Sequence, residues 1–430
     1  MNTPPKVALT TLGCKVNQTE SEAIAQLFRE AGYRIIQPGE QPDVVVVNTC
    51  SVTDTGDRKS RQRIRRMIRA YPDSLTVVMG CYAQACPQEI MGIEGVDLVI
   101  GTQGRSQILA LIDKVKAERQ ACQVVLPARQ AREFEELPLL WQESRTRATI
   151  KIQDGCNQFC TYCLIPYVRG PNRSRDPQRV LAEIAQIAAA GYGEIVLTGI
   201  HTGAYGQDLE QAWDLARLIQ ESSAVSGLRR LRLGSIEPME FTSRLLDTIA
   251  ATPLVCPHLH IPLQSGSDAV LARMKRPYRL RDYAQLLDKL YVMNPELSVS
   301  TDIITGFPGE SATDHAHTLA FLQDCRFSGM HVFPYSKRQG TPAAAFPDQI
   351  SKSDKERRSG ELLRLDQELK RAYRRQFIGR EAEILVERVS DSAALGHTPH
   401  YLAVRFPVKP EQTLTGGSFT RIILTEEYFV

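Results

Sequence analysis

Three cysteines in one short loop are the residues of this chain with the clearest chemistry. Cys156, Cys160 and Cys163 are separated by three and two residues within the run from Asp154 to Arg169. One tight loop can direct three thiolates at a common point, and thiolates bind soft metals. An ordinary four-iron cluster takes four cysteines, but no fourth Cys or His stands nearby. The spacing therefore predicts a cluster with one iron open to a non-protein ligand, which is typical of a reactive metal site.

Two simpler interpretations compete with the cluster. Half of a zinc site would need a second Cys or His pair downstream, and none follows Cys163 at such a spacing. Inert thiols packed as small hydrophobes are the other alternative. We favour the cluster because this three-cysteine spacing is more specific than a lone C-x2-C.

A second set of cysteines follows predicted strands in the first 120 residues. Apolar runs at 7–11, 43–47, 75–79 and 97–100 alternate with helical patterns, which predicts a small doubly wound α/β domain. Cys14, Cys50 and Cys81 each come just after one of these runs. Since parallel strands end at one ligand-binding rim, we expect the three thiolates to meet and hold a second cluster. Buried core thiols are the alternative.

The loop around Cys156 resembles that of the radical S-adenosylmethionine (SAM) superfamily, including the aromatic Tyr162 before its last cysteine. This resemblance implies that the amino and carboxylate groups of SAM chelate the open iron. An electron from the cluster would then cleave SAM to a 5′-deoxyadenosyl radical.

Both triads together narrow the resemblance. Gly-Cys-Lys-Val-Asn-Gln surrounds Cys14 and Asn-Thr-Cys-Ser-Val-Thr surrounds Cys50, which is similar to the methylthiotransferases and most similar to their MtaB type. That type modifies N6-threonylcarbamoyladenosine at position 37, beside the tRNA anticodon. Relatives acting on isopentenyladenosine usually carry Gln-Met-Asn after the first cysteine, and those acting on ribosomal protein S12 carry Pro-Lys-Asn. This chain has neither.

The resemblance implies an enzyme with two [4Fe-4S] clusters and SAM as cofactors. Its partners would be the tRNA anticodon stem-loop, a sulfur source, and an electron donor such as flavodoxin or ferredoxin. Two alternatives stay open: the same chemistry on isopentenyladenosine or ribosomal protein S12, and an RNA-binding iron-sulfur electron carrier without catalysis.

Six further strand-like segments recur between residues 148 and 334 with helical patterns between them. They predict a partial (β/α)6 TIM-like barrel whose functional loops lie at the carboxyl ends of its strands. By resemblance to the superfamily, SAM would contact Tyr162, Thr198, Gly199, Glu237, Gln264, Ser265, Gly306, Phe333 and Tyr335. His201 and Glu237 could also act as acid or base, but hydrogen-bonded loop residues are the favoured interpretation. His260 and Asp302 fit either a ligand or a core role.

Two helical segments carry concentrated positive charge. Seven cations stand between Arg58 and Arg69 with one nearby acid, Asp57, so this helix predicts contact with an RNA backbone. A second basic helix is predicted within 351–380, and a solvated outer face is the alternative for each. After Gly379, strand-like runs predict a small β-barrel that resembles the TRAM RNA-binding domain, although the loop 396–401 matches that pattern only in part.

The whole chain sets broader limits. Its 430 residues carry 52 Lys and Arg against 49 Asp and Glu, so total charge alone predicts no partner. No apolar run reaches the ~20 residues of a membrane span and no signal-peptide core is seen, which predicts a cytoplasmic protein without a membrane partner. The predicted domains are an N-terminal domain (1–120), a linker (121–147), a radical SAM core (148–345), a basic helical extension (346–379) and a TRAM-like β-barrel (380–430).

Overall fold

The computed structural model describes residues 4–36, 39–137, 146–210, 212–408 and 413–430. The chain forms two compact units. The N-terminal unit comprises 1–140, 153–175 and 336–344, and the C-terminal unit comprises 141–152, 176–335 and 345–430. In the described ranges, no helix combines the length and apolar character that a membrane crossing requires.

The strands and helices are numbered in chain order. The strands are β1 (Lys6–Thr11), β2 (Arg34–Ile35), β3 (Val44–Thr49), β4 (Leu75–Gly80), β5 (Leu98–Ile100), β6 (Cys122–Val124), β7 (Ala148–Lys151), β8 (Gln153–Asp154), β9 (Arg173–Ser174), β10 (Glu194–Thr198), β11 (Arg230–Leu233), β12 (His258–His260), β13 (Ser298–Thr305), β14 (Gly329–Pro334), β15 (Glu381–Val389), β16 (Ala393–His397), β17 (Ala403–Pro407) and β18 (Phe419–Ile423). The helices are α1 (Lys15–Glu30), α2 (Asp54–Ala70), α3 (Cys81–Ala85), α4 (Pro87–Met91), α5 (Ile108–Glu118), α6 (Ile165–Val168), α7 (Pro177–Ala189), α8 (Leu215–Ser223), α9 (Ser243–Ala251), α10 (Asp268–Arg273), α11 (Leu280–Met293), α12 (Ala312–Asp324) and α13 (Lys352–Arg375).

A six-stranded parallel sheet organises the N-terminal unit, in the order β2-β1-β3-β4-β5-β6. Alternate residues of its central strands point to opposite faces, so Val44 and Val46 pack with α1 and α5, while Val45 and Val47 pack with α2 and α3. A sheet covered by helices on both faces confirms the predicted doubly wound fold. The sheet extends further than the expected domain, because β6 lies in the segment predicted to be a linker; residues 138–145 of that segment fall outside the described ranges.

Two later segments of the chain complete the N-terminal unit. In the first, β8 and β9 pair antiparallel on either side of the cysteine loop, and α6 lies between them. In the second, Ala343 N–H donates to the Thr161 carbonyl at 2.9 Å. The loop with Cys156, Cys160 and Cys163 therefore belongs to the same compact unit as Cys14, Cys50 and Cys81.

Six parallel strands form the barrel of the C-terminal unit. They are hydrogen-bonded in the orders β11-β10-β7 and β12-β13-β14, and an isolated bridge joins Leu231 to Val255 between the two groups. Their apolar residues, such as Leu197, Leu231 and Val299, pack in one core with the surrounding helices. This arrangement confirms the predicted partial (β/α)6 barrel.

A four-stranded antiparallel sheet ends the chain, in the order β17-β16-β15-β18. Its core includes Ile384, Val404 and Phe406, and Tyr373 and Phe377 from the end of α13 and just beyond pack against them. The sequence predicted three strand-like runs here and missed β16, a strand of five residues that contains Gly396. The antiparallel sheet agrees with the predicted small β-domain.

Candidate metal centre and ligand-binding face

The structure brings Cys14, Cys50 and Cys81 together where strands of the N-terminal sheet end. Cys14 immediately precedes α1, Cys50 follows β3, and Cys81 is the first residue of α3. Gly13 has φ +112°, and a Cβ there would lie 2.9 Å from Cys50 Cβ. The glycine therefore allows the loops of Cys14 and Cys50 to approach closely, as their position after neighbouring strands predicts.

The chemistry of these three thiols fits a metal cluster. Burial raises the pKa of the Cys81 thiol to about 12, and burial likewise raises that of Cys50. The pKa of Cys81 is raised further by Cys14 and Cys50, and that of Cys50 by Cys14, which shows that the groups interact. Buried thiols without an internal base ionise when a metal replaces their protons. Three converging sulfur donors thus suit an iron-sulfur cluster, and the ligand assignment remains a prediction.

The second triad is held by a loop that is closed at its base. Cys156 N–H donates to the Gly170 carbonyl at 3.0 Å, and Cys163 N–H donates to the Cys160 carbonyl at 3.0 Å. Gly155 has φ +75°, and a Cβ there would lie 1.9 Å from the Pro171 oxygen. The residue before Cys156 must therefore be glycine, because no side chain fits against the returning strand.

Buried charged residues connect the surroundings of the two triads. The Arg169 side chain is fully buried and donates to Asn17 Oδ1 at 2.7 Å, Glu20 Oε1 at 2.8 Å and Asp154 Oδ1 at 3.0 Å. Arg105 also pairs with Glu20 Oε1, at 2.7 Å. The sequence identified Asn17 only as part of a similarity motif and did not identify Arg169 as a functional residue.

A third buried arginine lies beside Cys50. Arg338 Nη2 donates to Asp57 Oδ2 at 2.5 Å and to Ser51 Oγ at 2.8 Å. Ser51 directly follows Cys50, and Asp57 lies in the first turn of α2. Asp57, which directly precedes the seven cations of α2, is therefore hydrogen-bonded to Arg338.

The predicted SAM-contacting residues lie mostly at strand ends, as expected for barrel loops. Thr198 ends β10 and is buried, with Gly199 next to it half-buried. Gln264 has φ +72° and is buried, and Ser265 Oγ accepts from Ser267 N–H at 3.2 Å. Phe333 is 44% exposed at the end of β14. Tyr162 is half-buried in the N-terminal unit. The binding of SAM by these residues remains a prediction.

Three of these positions have additional structural roles. A Cβ at Gly306 would lie 2.4 Å from Lys355 Cγ of α13, and Lys355 Nζ lies 5.0 Å from the centre of the Tyr335 ring. Glu237 pairs with Arg276, so it is a hydrogen-bonded loop residue as interpreted from the sequence. His201, the other acid or base candidate, is buried with Nε2 3.2 Å from Glu240 Oε1.

A row of polar side chains crosses one face of the sheet β12-β13-β14. His260 Nε2 lies 3.2 Å from Asp302 Oδ2, and His260 Nδ1 is hydrogen-bonded to Ser300 Oγ at 2.9 Å. His331 is the register partner of Asp302, and its ligand atoms lie within 4.8 Å of those of the other two. The alternating residues Leu259, Val299 and Met330 face the core, so the polar row occupies the opposite face. Asp302 is therefore a polar-face residue rather than a core residue.

The cations of α2 divide into two groups. Arg61 Nη1 donates to Tyr82 Oη at 2.8 Å and to Glu89 Oε1 at 3.0 Å. The exposed Arg58, Arg65 and Arg69 have no ion pair within the part of the chain that the structure describes. Arg61 stands in the same run of cations, but its partners are contributed by α3 and α4, which the spacing of residues along α2 does not reveal.

The loop 396–401, which matched the TRAM pattern only in part, packs against the barrel strands of its own unit. Arg232 donates to the Thr398 carbonyl at 3.4 Å and the Pro399 carbonyl at 3.2 Å. The Tyr401 ring stacks on His397, with ring centres 4.9 Å apart. The polar groups of this loop therefore stabilise the packing of the C-terminal sheet on the barrel.

Comparison with known proteins adds family information to this geometry. Residues 6–101 match the uncharacterized protein family UPF0004, and residues 150–322 match the radical SAM superfamily. Among solved structures, the radical SAM methyltransferase TsrM from Kitasatospora setae is similar in fold, with a TM-score of 0.61 and 15% identity over 79% of this chain and 77% of that one. Fold and cysteine loops together define a radical SAM protein with an added N-terminal domain.

Two curated relatives match over nearly the whole length. The threonylcarbamoyladenosine tRNA methylthiotransferase MtaB of Bacillus subtilis is 46% identical over 93% of this chain and 90% of its own. A tRNA-2-methylthio-N(6)-dimethylallyladenosine synthase of Desulfitobacterium hafniense is 34% identical over 94% and 92%. The chain belongs to the radical SAM methylthiotransferase family. It is accordingly an enzyme that uses SAM and [4Fe-4S] clusters.

Proposed function

We propose that this enzyme converts N6-threonylcarbamoyladenosine at position 37 of tRNA to its 2-methylthio derivative. The observation that carries the proposal is the pair of cysteine triads, one at the rim of the N-terminal sheet and one in the loop 156–163 of the same unit. The identity of 46% to a relative named for this reaction, against 34% to the dimethylallyladenosine enzyme, supports the substrate.

The two triads suit different parts of that reaction. Cys156, Cys160 and Cys163 would hold the cluster that supplies an electron for SAM cleavage, and Cys14, Cys50 and Cys81 would hold the cluster associated with sulfur transfer. Each triad offers three thiols, so each site keeps a coordination position for a non-protein group. Loop residues at the barrel strand ends, including Gln264, would bind and orient SAM.

The polar row on the barrel sheet supports a polar nucleoside substituent. His260, Asp302 and His331 present hydrogen-bond donors and acceptors on a face that the core does not cover. A threonylcarbamoyl group carries a carboxylate, a hydroxyl and urea N–H groups, whereas a dimethylallyl group carries none. An apolar group against this row would displace water from its polar atoms without offering them hydrogen bonds, at about 1–3 kcal/mol for each group that is desolvated and not compensated.

Two further partners follow from the proposed reaction. SAM cleavage consumes an electron, so a small electron carrier such as a flavodoxin or ferredoxin would reduce the cluster. The inserted sulfur also requires a donor. The tRNA would present its anticodon stem-loop, for which the exposed cations of α2 are a candidate binding surface.

Variants of the two triads test the proposal. Alanine at Cys156, Cys160 and Cys163 should remove about half of the iron, since each cluster holds four, and should abolish SAM cleavage. Alanine at Cys14, Cys50 and Cys81 should remove the other half, keep SAM cleavage and abolish the methylthio nucleoside, measured by mass spectrometry of digested tRNA. Product formation by the second variant would refute the sulfur-transfer role, and a parent protein that modifies only isopentenyladenosine would refute the proposed substrate.

A further inference from the structure

Arg169 is the side chain through which the loops of the two triads are connected. It stands six residues after Cys163, and its guanidinium bonds to Asp154, two residues before Cys156. The same guanidinium bonds to Asn17 and Glu20 in the first turns of α1, directly after Cys14. One buried cation thus joins the base of one cysteine loop to the helix that follows the other.

The neighbours of Arg169 extend this connection to the triad itself. Asn17 Nδ2 donates to the Leu12 carbonyl at 2.9 Å and to the Thr49 carbonyl at 3.0 Å. Cys14 Sγ lies 3.9 Å from Asn17 Oδ1, the atom that accepts from Arg169. Because Thr49 immediately precedes Cys50, the position of Arg169 influences the loops of both Cys14 and Cys50.

Arg169 also has one donor left over. Its Nε atom is buried and has no hydrogen-bond partner in the described ranges. The guanidinium lies one side chain away from the first triad, because Asn17 Oδ1, which accepts from Arg169, is 3.9 Å from Cys14 Sγ. A buried cation in the environment of a cluster favours its reduced form, because charge near the sulfurs tunes cluster potentials.

We propose that Arg169 is a positioning residue that links the two cysteine loops and stabilises the reduced form of the cluster at Cys14, Cys50 and Cys81. The inference rests on the proposed assignment of the six cysteines as cluster ligands. The planar guanidinium reaches Asn17, Glu20 and Asp154 at once, which a lysine ammonium cannot reproduce.

Three single variants separate the hydrogen-bonded connection between the two cysteine loops from the positive charge of Arg169. Arg169→Gln removes both, Arg169→Lys keeps the charge but not the fork of donors, and Arg105→Gln is the matched control. Arg105 is equally buried and shares Glu20, but its other ion-pair partner is Glu135 rather than a residue of the cysteine loop. All three variants disturb the same group of buried charges around Glu20, so a general loss of stability should appear in each.

Two measurements then distinguish the variants. Hydrogen exchange of the metal-free protein should rise at residues 12–18 and at 154–158 in both Arg169 variants, whereas in Arg105→Gln the segment 154–158 should exchange as in the parent. Potentiometric titration followed by electron paramagnetic resonance should show a more negative potential for the N-terminal cluster in Arg169→Gln, with the potential of Arg169→Lys closer to the parent.

Clear outcomes would overturn the inference. If Arg169→Gln and Arg105→Gln show the same exchange pattern and parental potentials, Arg169 is only a buried ion-pair partner. If Arg169→Gln does not fold, Arg169→Lys decides, since unchanged exchange at 154–158 in that variant refutes the link. A parent protein with a single cluster would instead refute the proposed function, and the exchange result would still report on the link.

Discussion

Asn17 was noted in the sequence only as part of a motif, but in the structure it connects several segments by hydrogen bonds. It is buried on α1, its amide nitrogen bonds two carbonyl groups, and its amide oxygen accepts from Arg169. Its partners lie up to 152 residues away in sequence. The position of Cys14 after a strand was predictable from local pattern, whereas these long-range partners have no periodic signal.

The polar row of His260, Asp302 and His331 gives a test of substrate recognition. Asp302→Ala or His331→Ala should lower kcat/KM for RNA with threonylcarbamoyladenosine about tenfold, as expected for a lost hydrogen bond worth about 1.4 kcal/mol. Steady-state kinetics with a modified anticodon stem-loop would measure this effect. SAM cleavage without RNA should be unchanged, and the exposed His317→Ala on α12 serves as the control. Equal loss of both activities would place the row at the SAM site instead.

Helix α2 combines an apolar face that packs on the sheet with a face of exposed cations. Ile64 packs in the core beside Val45 and Val47. Thr53 Oγ1 accepts from Gly56 N–H at 3.0 Å, which caps the helix start. The amphipathic pattern made this helix predictable, but the pairing of Arg61 with Tyr82 and Glu89 was not, since it depends on how α3 and α4 pack.

The exposed cations of α2 should make the affinity for RNA depend on salt concentration. Each cation that contacts a phosphate releases counterions, so the logarithm of the binding constant falls linearly with the logarithm of the salt concentration. The combined variant Arg58→Gln, Arg65→Gln and Arg69→Gln should make this slope shallower by about 0.7 to 0.9 for each phosphate that is no longer neutralised. Affinity should fall for cognate and non-cognate tRNA alike, because interactions with phosphates do not read bases. Fluorescence anisotropy at several salt concentrations measures both effects.

Arg61→Gln is the matched control for that experiment, because Arg61 lies on the same helix but is held by Tyr82 and Glu89. It should leave the salt slope at the parental value. A parental slope in the triple variant as well would identify the cationic face as merely solvated.

The antiparallel sheet should weaken in acid because of His400. Burial lowers the pKa of this histidine to about 4, aided by the charges of Arg380, Arg232 and Arg230 and opposed by Glu296. The folded state favours the neutral imidazole ring of His400. The contribution of His400 to the free energy of unfolding is therefore fully present above the ordinary pKa of 6.5 and is lost as the pH falls toward about 4. Melting temperatures between pH 7 and pH 4 should therefore depend less on pH in His400→Gln than in the parent. His317→Gln, an exposed control, should follow the parent.

Within the C-terminal unit, one buried carboxylate connects the barrel to the terminal sheet. Glu194 on β10 is fully buried and pairs with Arg232 at 3.0 Å and with Arg230 and Arg147 at 3.5 Å. Burial alone would raise its pKa, but Arg232 and Arg147 hold the pKa of Glu194 below its ordinary value. Arg230 and Arg232 in turn donate to carbonyl groups of the terminal sheet and its loop.

Removal of this charge should be strongly destabilising. Glu194→Gln leaves three arginines with less buried negative charge, and breaking a buried pair in this way costs about 3–5 kcal/mol. Chemical unfolding would measure the loss, and hydrogen exchange should rise at β16 and β17. The exposed Glu426→Gln should change stability by less than about 0.5 kcal/mol. A similarly small effect of Glu194→Gln would show that the arginines find other partners.

The division of the chain into two compact units was less predictable from the sequence than the sheet and the barrel that those units contain. Alternating apolar runs and helices identified the doubly wound sheet and the barrel, because both repeat a local pattern. Residues 336–344 carry no such pattern, yet they join the N-terminal unit and bring Arg338 to Asp57. Strands such as β2 and β6 have two or three residues and also lack a period that a sequence could reveal.

The ion pair between Arg338 and Asp57 has a consequence for synthesis on the ribosome. The two residues are 281 positions apart, so at about 5–20 residues per second roughly 14 to 56 s pass between their emergence. During that interval Asp57 and Ser51, beside Cys50, lack their arginine. The pocket of Cys14, Cys50 and Cys81 therefore reaches its final form late in translation, and we expect iron loading there to follow, rather than accompany, the folding of the N-terminal sheet.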